Sequence, residues 1–395
     1  MPGPLDGIRV LDLTSVVLGP LATQTMGDMG ADIVKIEGPA GDTTRYTGPK
    51  RSADMSALYM GLNRNKRSLV LDLKQEAARD ALWRLIDTAD VFLHSVRPQA
   101  MERLGFGREA VLARNPRIVY AGIHGFRMDG PYAGRPAYDD VIQGLSGSAD
   151  LMARLVGEPR YMPTIMADKT CGLVAVNAVL AALLERERSG RGQFVEIPMF
   201  ETMVAFNMAD HIFGYTFDPP EGPMGYSRVL TPSRRPYKTT DGYICLLAYT
   251  DIQWVGFWEE VGRPDLKDDP RFDSLASRAD NIEAVYSLAA DFIATRSTAE
   301  WLEVLPRLEI PCGEIVALED IPNDPHLQAV GFFRRETHPT EGAITVPDTP
   351  VQFSRTPASI DRLQPKLGEH SAEILREAGL SDADIENMRA SGATI

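Results

Sequence analysis

The sequence predicts an α/β protein with a Rossmann-like large domain and a smaller α+β domain. Three observations carry this reading. Short apolar, β-favouring runs alternate with helix-like stretches from Ile8 to Ile123, as expected of a parallel sheet wound by helices. A turn-rich stretch at 218–240, with Pro219-Pro220, Gly222-Pro223 and Pro232, interrupts the alternation. The 395 residues, 44% hydrophobic and 24% charged, have a globular composition and enough length for two or three domains.

The elements follow in order. Ile8 to Leu13 reads as the first strand, Gly19-Pro20 opens a helix that runs to Gly27 and Gly30, and Asp32 to Glu37 reads as the second strand. A strand is expected at 69–73, then a helix at 75–89 with Ala81, Leu82, Leu85 and Ile86 on one face. A strand at 90–96, a helix at 98–113 and a strand at 117–123 repeat the unit. Asp168 to Arg188 is the clearest helix, with an acidic start, Arg186 and Arg188 in its last turn, and Gly190 and Gly192 just beyond. A strand at 193–199 and a helix at 200–217 close the first part of the large domain, 1–217. After the linker at 218–240, the small domain at 241–330 reads as a strand at 243–248, helices near 252–261, 278–295 and 298–308, and a strand near 313–317. The remainder, 331–395, carries β segments and two short helices.

Forty-one basic against 55 acidic residues give a net charge of −14. The overall field repels nucleic acid, so a polyanionic ligand needs a local basic patch. Three separated cysteines, and no basic N-terminal segment followed by an apolar run, lead to an expected cytoplasmic location. No CxxC and no HExxH occur among three cysteines and six histidines, so no metal is expected. No run of about 18 apolar residues stands out, so no membrane span is expected. The first turn reads Gly19-Pro20-Leu21-Ala22 and lacks the glycines of GxGxxG, which disfavours NAD and FAD. Ser146 sits in Gly144-Leu145-Ser146-Gly147, one residue short of the hydrolase elbow, and there is no Walker loop.

Longer strings are more specific. Pro4-Leu5-Asp6-Gly7-Ile8-Arg9-Val10-Leu11-Asp12-Leu13-Thr14, Gly30-Ala31-Asp32-Ile33-Val34-Lys35-Ile36-Glu37, Gly41-Asp42-Thr43-Thr44-Arg45 and Asn63-Arg64-Asn65-Lys66-Arg67-Ser68 come first. Leu71-Asp72-Leu73-Lys74, Arg103-Leu104-Gly105, Ala167-Asp168-Lys169-Thr170, Ser189-Gly190-Arg191-Gly192-Gln193, Ile310-Pro311-Cys312-Gly313 and Leu367-Gly368-Glu369-His370 follow in order. This ordered set resembles the family III CoA-transferases, the CaiB/BaiF group that includes formyl-CoA and carnitine CoA-transferases. The resemblance implies an interlocked homodimer of ring-like chains, each with a large domain built from both termini, so that 331–395 returns to it. It also implies acyl-CoA and a carboxylic acid as substrates, with CoA a cosubstrate rather than a permanently bound cofactor.

The family's nucleophilic aspartate corresponds to Asp168. CoA exchange between acids needs a carboxylate that can become a mixed anhydride and then a CoA thioester, and only Asp or Glu can do so. The helix start is expected to keep Asp168 ionised and to offer N–H groups to an oxyanion, while Ala167 and Thr170 leave space. A purely structural N-cap is the competing role for Asp168. Lys169 is a further carboxylate-binding candidate or a solvated cation.

Positions that match CoA contacts in the family are Val16, Val17 and Leu18 after the first strand, Leu71, Asp72, Leu73 and Lys74, then Ser95, Val96 and Arg97, and Arg103. Lys74 and Arg103 are available for phosphates. Arg45, Arg64, Lys66 and Arg67 are either further contributors or ordinary structural cations. Formyl-CoA transferase has an arginine where this chain has Gly38 and a lysine where it has Pro136, next to Arg135. Its glycine-rich active-site loop has no counterpart between Asp218 and Asp241, which turns the expectation away from formyl and oxalyl transfer. Arg234 or Arg235 could instead bind the distal carboxylate of a dicarboxylate such as succinate, against the simpler reading of an exposed basic loop. The alternatives are a CoA-ester racemase of the α-methylacyl type, whose histidine base is missing from Pro136-Ala137-Tyr138-Asp139, and a noncatalytic CoA-binding homologue. His124 is a substitute base only if it is not a structural group.

Overall fold

The computed structural model describes residues 2–395. Six strands, β1 (Arg9–Leu13), β2 (Asp32–Glu37), β3 (Lys66–Val70), β4 (Val91–His94), β5 (Val119–His124) and β6 (Phe194–Pro198), form one sheet in the order β3-β2-β1-β4-β5-β6. Every pairing in it is parallel. This is the Rossmann strand order, in which the chain changes winding direction between β1 and β4 and leaves a crevice beyond their carboxyl ends.

Alternate strand residues feed two separate cores. Val10, Ile33, Leu93, Val119 and Ala121 pack with the helices Leu18–Asp28 and Met166–Ser189. Leu11, Val34, Phe92 and Tyr120 pack on the other face with the helix Glu76–Ile86 and with Ile374, Leu375, Ile385 and Met388 from the C-terminal stretch. A sheet covered on both faces needs this apolar-on-both-sides sequence. Each fully buried Leu, Ile or Val contributes roughly 1.5–3 kcal/mol.

The third strand lies at Lys66–Val70, not at 69–73. Its first residues look too polar for a buried strand, yet at this edge of the sheet all are buried because each has an internal partner. Lys66 Nζ donates to Asn63 Oδ1 (3.0 Å) and the Pro20 carbonyl (2.9 Å) and pairs with Asp12 (3.2 Å). Arg67 pairs with Asp32, Glu373 and Glu377 at 2.7–2.8 Å. Backbone bonds from Asn65 to Arg362 and from His370 to Ser68 tie the same strand to the chain's end.

Two compact units result. One comprises Met1–Ser146, Met162–Phe206 and Pro325–Ile395; the other comprises Gly147–Tyr161 and Asn207–Asp324. The smaller unit therefore takes in 147–161 and 207–217, which the sequence reading gave to the large domain, and the linker at 218–240 as well. Its sheet is β7 (Tyr237–Lys238), β8 (Tyr243–Leu246) and β9 (Cys312–Glu314), around a core with Trp254, Phe257, Trp258, Phe272 and Trp301. The larger unit also carries a hairpin, β10 (Phe333–His338) with β11 (Gly342–Pro347).

Three expected helices are shorter than their periodicity suggested. That at 98–113 breaks into Pro98–Leu104 and Arg108–Arg114 at Gly105, whose φ of +89° ends the first piece. That at 200–217 is Met199–His211, and that at 278–295 is Leu275–Asp280 followed by Ile282–Ile293. The helix Met166–Ser189 is long and apolar enough to cross a membrane by length and composition, contrary to the sequence reading. Here it packs in the core, with Ala167, Cys171, Ala175, Val176 and Val179 buried.

Candidate active site

The turn after β1 is strained and firmly held. Val16 has φ +70°, rare for a β-branched residue. Its N–H faces the Asp42 carboxylate at 3.2 Å, and Asp42 is paired with fully buried Lys35 at 3.0 Å. Lys35 also donates to the Thr14 carbonyl at 3.1 Å. Gly19, in the first helical turn beyond, has no room for a side chain, because a Cβ there would lie 2.2 Å from Thr14. The Leu18–Asp28 helix thus opens with N–H groups that have no acceptor within the helix, against the end of β1.

A cleft of about 240 Å³ lies at this point. Val16, Val17, Leu18, Ser95, Arg97 and Asp168 all line it, so six of the sequence candidates meet there. Arg135, Pro136, Tyr138 and His124 complete its polar and aromatic wall. The adjoining hollow, about 210 Å³, holds Leu71, Leu73 and Val96 with Gly38, and shares Ser15 with the cleft. A Cβ on Gly38 would meet nothing within 4 Å, so the hollow is open at that point. Asp72, Lys74 and Arg103 line neither. Asp72 accepts the Lys74 N–H (3.2 Å), while Lys74 and Arg103 are exposed.

Asp168 is buried in the first turn of its helix, with only 8% of its surface exposed. It is not an N-cap: Ile165 occupies that position, and no side chain caps the helix. The expectation of a carboxylate kept ionised by the helix start also fails. Burial, and then the neighbouring charge of Asp139, push Asp168 from 3.8 up to about 7.

Asp139 and Gln143 are residues the sequence reading missed as part of this site. Asp139 Oδ1 accepts the Asp168 N–H (3.0 Å), Oδ2 accepts Gln143 Nε2 (2.6 Å), and Gln143 Oε1 accepts the Met162 N–H (2.9 Å). A buried carboxylate and amide one helical turn apart thereby hold both ends of the segment leading to the nucleophile candidate. The available signal was their i,i+4 spacing, which puts both on one helix face.

The other candidate cations have different fates. Arg45 pairs with Glu37 (2.7 Å), Arg64 with Asp28 (2.7 Å), and Lys66 and Arg67 as described, so all four are internal cations rather than CoA contacts. Lys169 is exposed and donates to Thr164 Oγ1 (2.7 Å). Arg234 and Arg235 are exposed in the smaller unit. In the cleft itself, Arg97 and Arg135 have no carboxylate partner among the described residues. His124, expected to be structural, does line the cleft. Burial lowers its pKa, and Nδ1 lies 3.5 Å from Glu196.

A parallel sheet in Rossmann order with a buried carboxylate in the crevice at its switch point defines an α/β protein whose ligand site lies where such sheets bind their ligands. The sequence pattern of CoA-transferase family III matches residues 5–371, and the chain belongs to that family. It is 31% identical to succinyl-CoA:glutarate CoA-transferase of Mus musculus, over 98% of this chain and 90% of that protein. It is 35% identical to formyl-CoA:oxalate CoA-transferase of Streptomyces avermitilis, over 99% and 100%. Among solved structures, a CaiB/BaiF family protein from Brucella suis superposes with TM-score 0.80 at 30% identity, covering 96% of this chain and 100% of that one. Rv3272 from Mycobacterium tuberculosis gives 0.82 at 32%, covering 94% and 99%. The chain is a CoA-transferase; the racemase and noncatalytic alternatives give way to that.

Proposed function

We propose that this enzyme moves CoA from an acyl-CoA to a free carboxylic acid through covalent intermediates on Asp168. The observation that carries the proposal is the burial of Asp168 in a cleft that also holds Val16–Leu18, Ser95 and Arg97. An Asp168 oxygen attacks the thioester carbonyl carbon and expels CoA thiolate, leaving a mixed anhydride. The thiolate then attacks the Asp168 carbonyl carbon, releasing the donor acid and forming an aspartyl-CoA thioester. The acceptor carboxylate attacks that thioester and expels thiolate again; the thiolate takes the acceptor's acyl group and regenerates the aspartate. Each addition puts negative charge on a carbonyl oxygen; the start of the Leu18–Asp28 helix, whose first N–H groups lack a side-chain cap and which lines the cleft, supports a role in receiving it. Burial that raises Asp168 to about 7 makes it more basic than a solvated carboxylate and hence a better attacking group.

The cleft is too small for all of CoA, so in this reading it takes the thiol end and the acyl group. The hollow with Leu71, Leu73 and Val96 takes an apolar part of the cosubstrate. Lys74 and Arg103 remain the proposed phosphate contacts, with Asp72 fixing the Lys74 backbone. One partner acid is a dicarboxylate such as succinate, its distal carboxylate held by Arg135; relatives named for succinyl transfer support this. The working form is an interlocked homodimer in the cytoplasm, and both chain ends contribute to the larger unit, as such threading requires. A screen of acyl-CoA donors against acids, repeated with Asp168→Ala, tests the assignment. Turnover must appear with the parent and vanish with the variant; equal turnover in both would remove Asp168 from the mechanism.

A further inference from the structure

The smaller unit has a cavity of about 280 Å³, none of whose residues lines the Asp168 cleft. Its wall is aromatic and cationic: Tyr226, Tyr249, Trp254 and Tyr286 with Arg228 and Arg278, and no Asp or Glu. That is unusual in a chain of net charge −14.

Both arginines are built into place. Arg228 Nε donates to Tyr286 OH (3.0 Å), and its guanidinium lies 4.5 Å from the centre of the Tyr249 ring. No carboxylate pairs with it among the described residues. Arg278 is 3% exposed. One Nη donates to the Phe272 carbonyl (2.8 Å) and the other pairs with Asp251, but its Nε–H is buried without an acceptor. Held by these two bonds, Arg278 is a fixed, buried positive charge in the cavity wall.

We propose that this cavity binds a carboxylate carried on a flat apolar body. The carboxylate meets the Arg228 guanidinium, in the field of the buried Arg278 behind it, while the body packs against Trp254 and the tyrosine rings. The charged groups select the anion, and the aromatic walls select against small, fully hydrated anions. The site is independent of the chemistry assigned to Asp168.

The test is isothermal titration calorimetry of the full chain with benzoate as probe. Saturable binding at one site is expected, weakened about tenfold or more for benzamide, for inorganic phosphate and for the Arg228→Gln and Tyr249→Leu variants. These variants keep the Arg278–Asp251 pair and are checked for parental thermal unfolding. Arg135→Ala, which removes a cation from the Asp168 cleft, must leave benzoate affinity unchanged. Absence of saturable binding, equal affinity for benzamide or phosphate, or a loss confined to Arg135→Ala would each overturn the proposal.

Discussion

Replacing Asp168 with asparagine should abolish transfer and at the same time stabilise the fold in alkaline solution. In the folded chain the carboxyl group is displaced from 3.8 to about 7, first by burial and second by Asp139. A raised carboxyl pKa means that the folded state holds its proton while the unfolded state has released it. Stability is therefore lost as pH rises from about 4 to about 7 and stays lower above that. At about 1.4 kcal/mol for each tenfold change, the full effect is on the order of 4 kcal/mol. Asparagine keeps the shape without the charge. Urea unfolding of both proteins from pH 4 to pH 9 should show nearly equal stability at the acid end and an advantage for Asp168→Asn of a few kcal/mol at the alkaline end. An advantage independent of pH, or none at pH 8, would refute the reasoning that burial strains this charge.

Four further outcomes follow from the same geometry. Transfer by the parent should rise with pH through about 7, as Asp168 ionises, in pH-rate profiles of kcat/KM. Asp139→Asn should move that limb to lower pH, because it removes the like charge, and should lower kcat by loosening the start of the helix; an unshifted profile would confine Asp139 to a structural role. Lys66→Met should cost about 3–5 kcal/mol in urea unfolding, since it leaves Asp12 buried with one cation fewer. Arg135→Ala should raise KM for a dicarboxylate acceptor about tenfold with little change in kcat or in KM for a monocarboxylate, whereas Arg234→Ala and Arg235→Ala should leave both substrates unaffected.

The parts of the fold that obey one physical rule were readable from the chain alone. Strands β1 and β2 and the Met166–Ser189 helix are regular apolar patterns with clear ends, and the structure places them within two residues of expectation. Strand β3 was misplaced because its inward residues are Lys66, Arg67 and Ser68, whose partners Asp12, Asp32 and Glu377 are distant in sequence. The same blindness left Arg45 and Arg64 undecided between ligand contacts and structural cations; they close buried pairs with Glu37 and Asp28. At the site, family strings located Asp168 and the turns around it. The sign of its pKa shift was missed, because helix-end electrostatics act on one element whereas desolvation depends on everything packed around it. Asp139 and Gln143 escaped for a related reason: their role exists only once residues 139–143 meet the segment at 162–168.

The central claim is tested most directly by mixing the enzyme with an acyl-CoA in the absence of acceptor acid, quenching rapidly, and mapping adducts by peptide mass spectrometry. A CoA thioester or an acyl group on the peptide containing Asp168, absent from Asp168→Asn, is the predicted result. An adduct on another residue, or acyl exchange at the parental rate by the asparagine variant, would contradict the account.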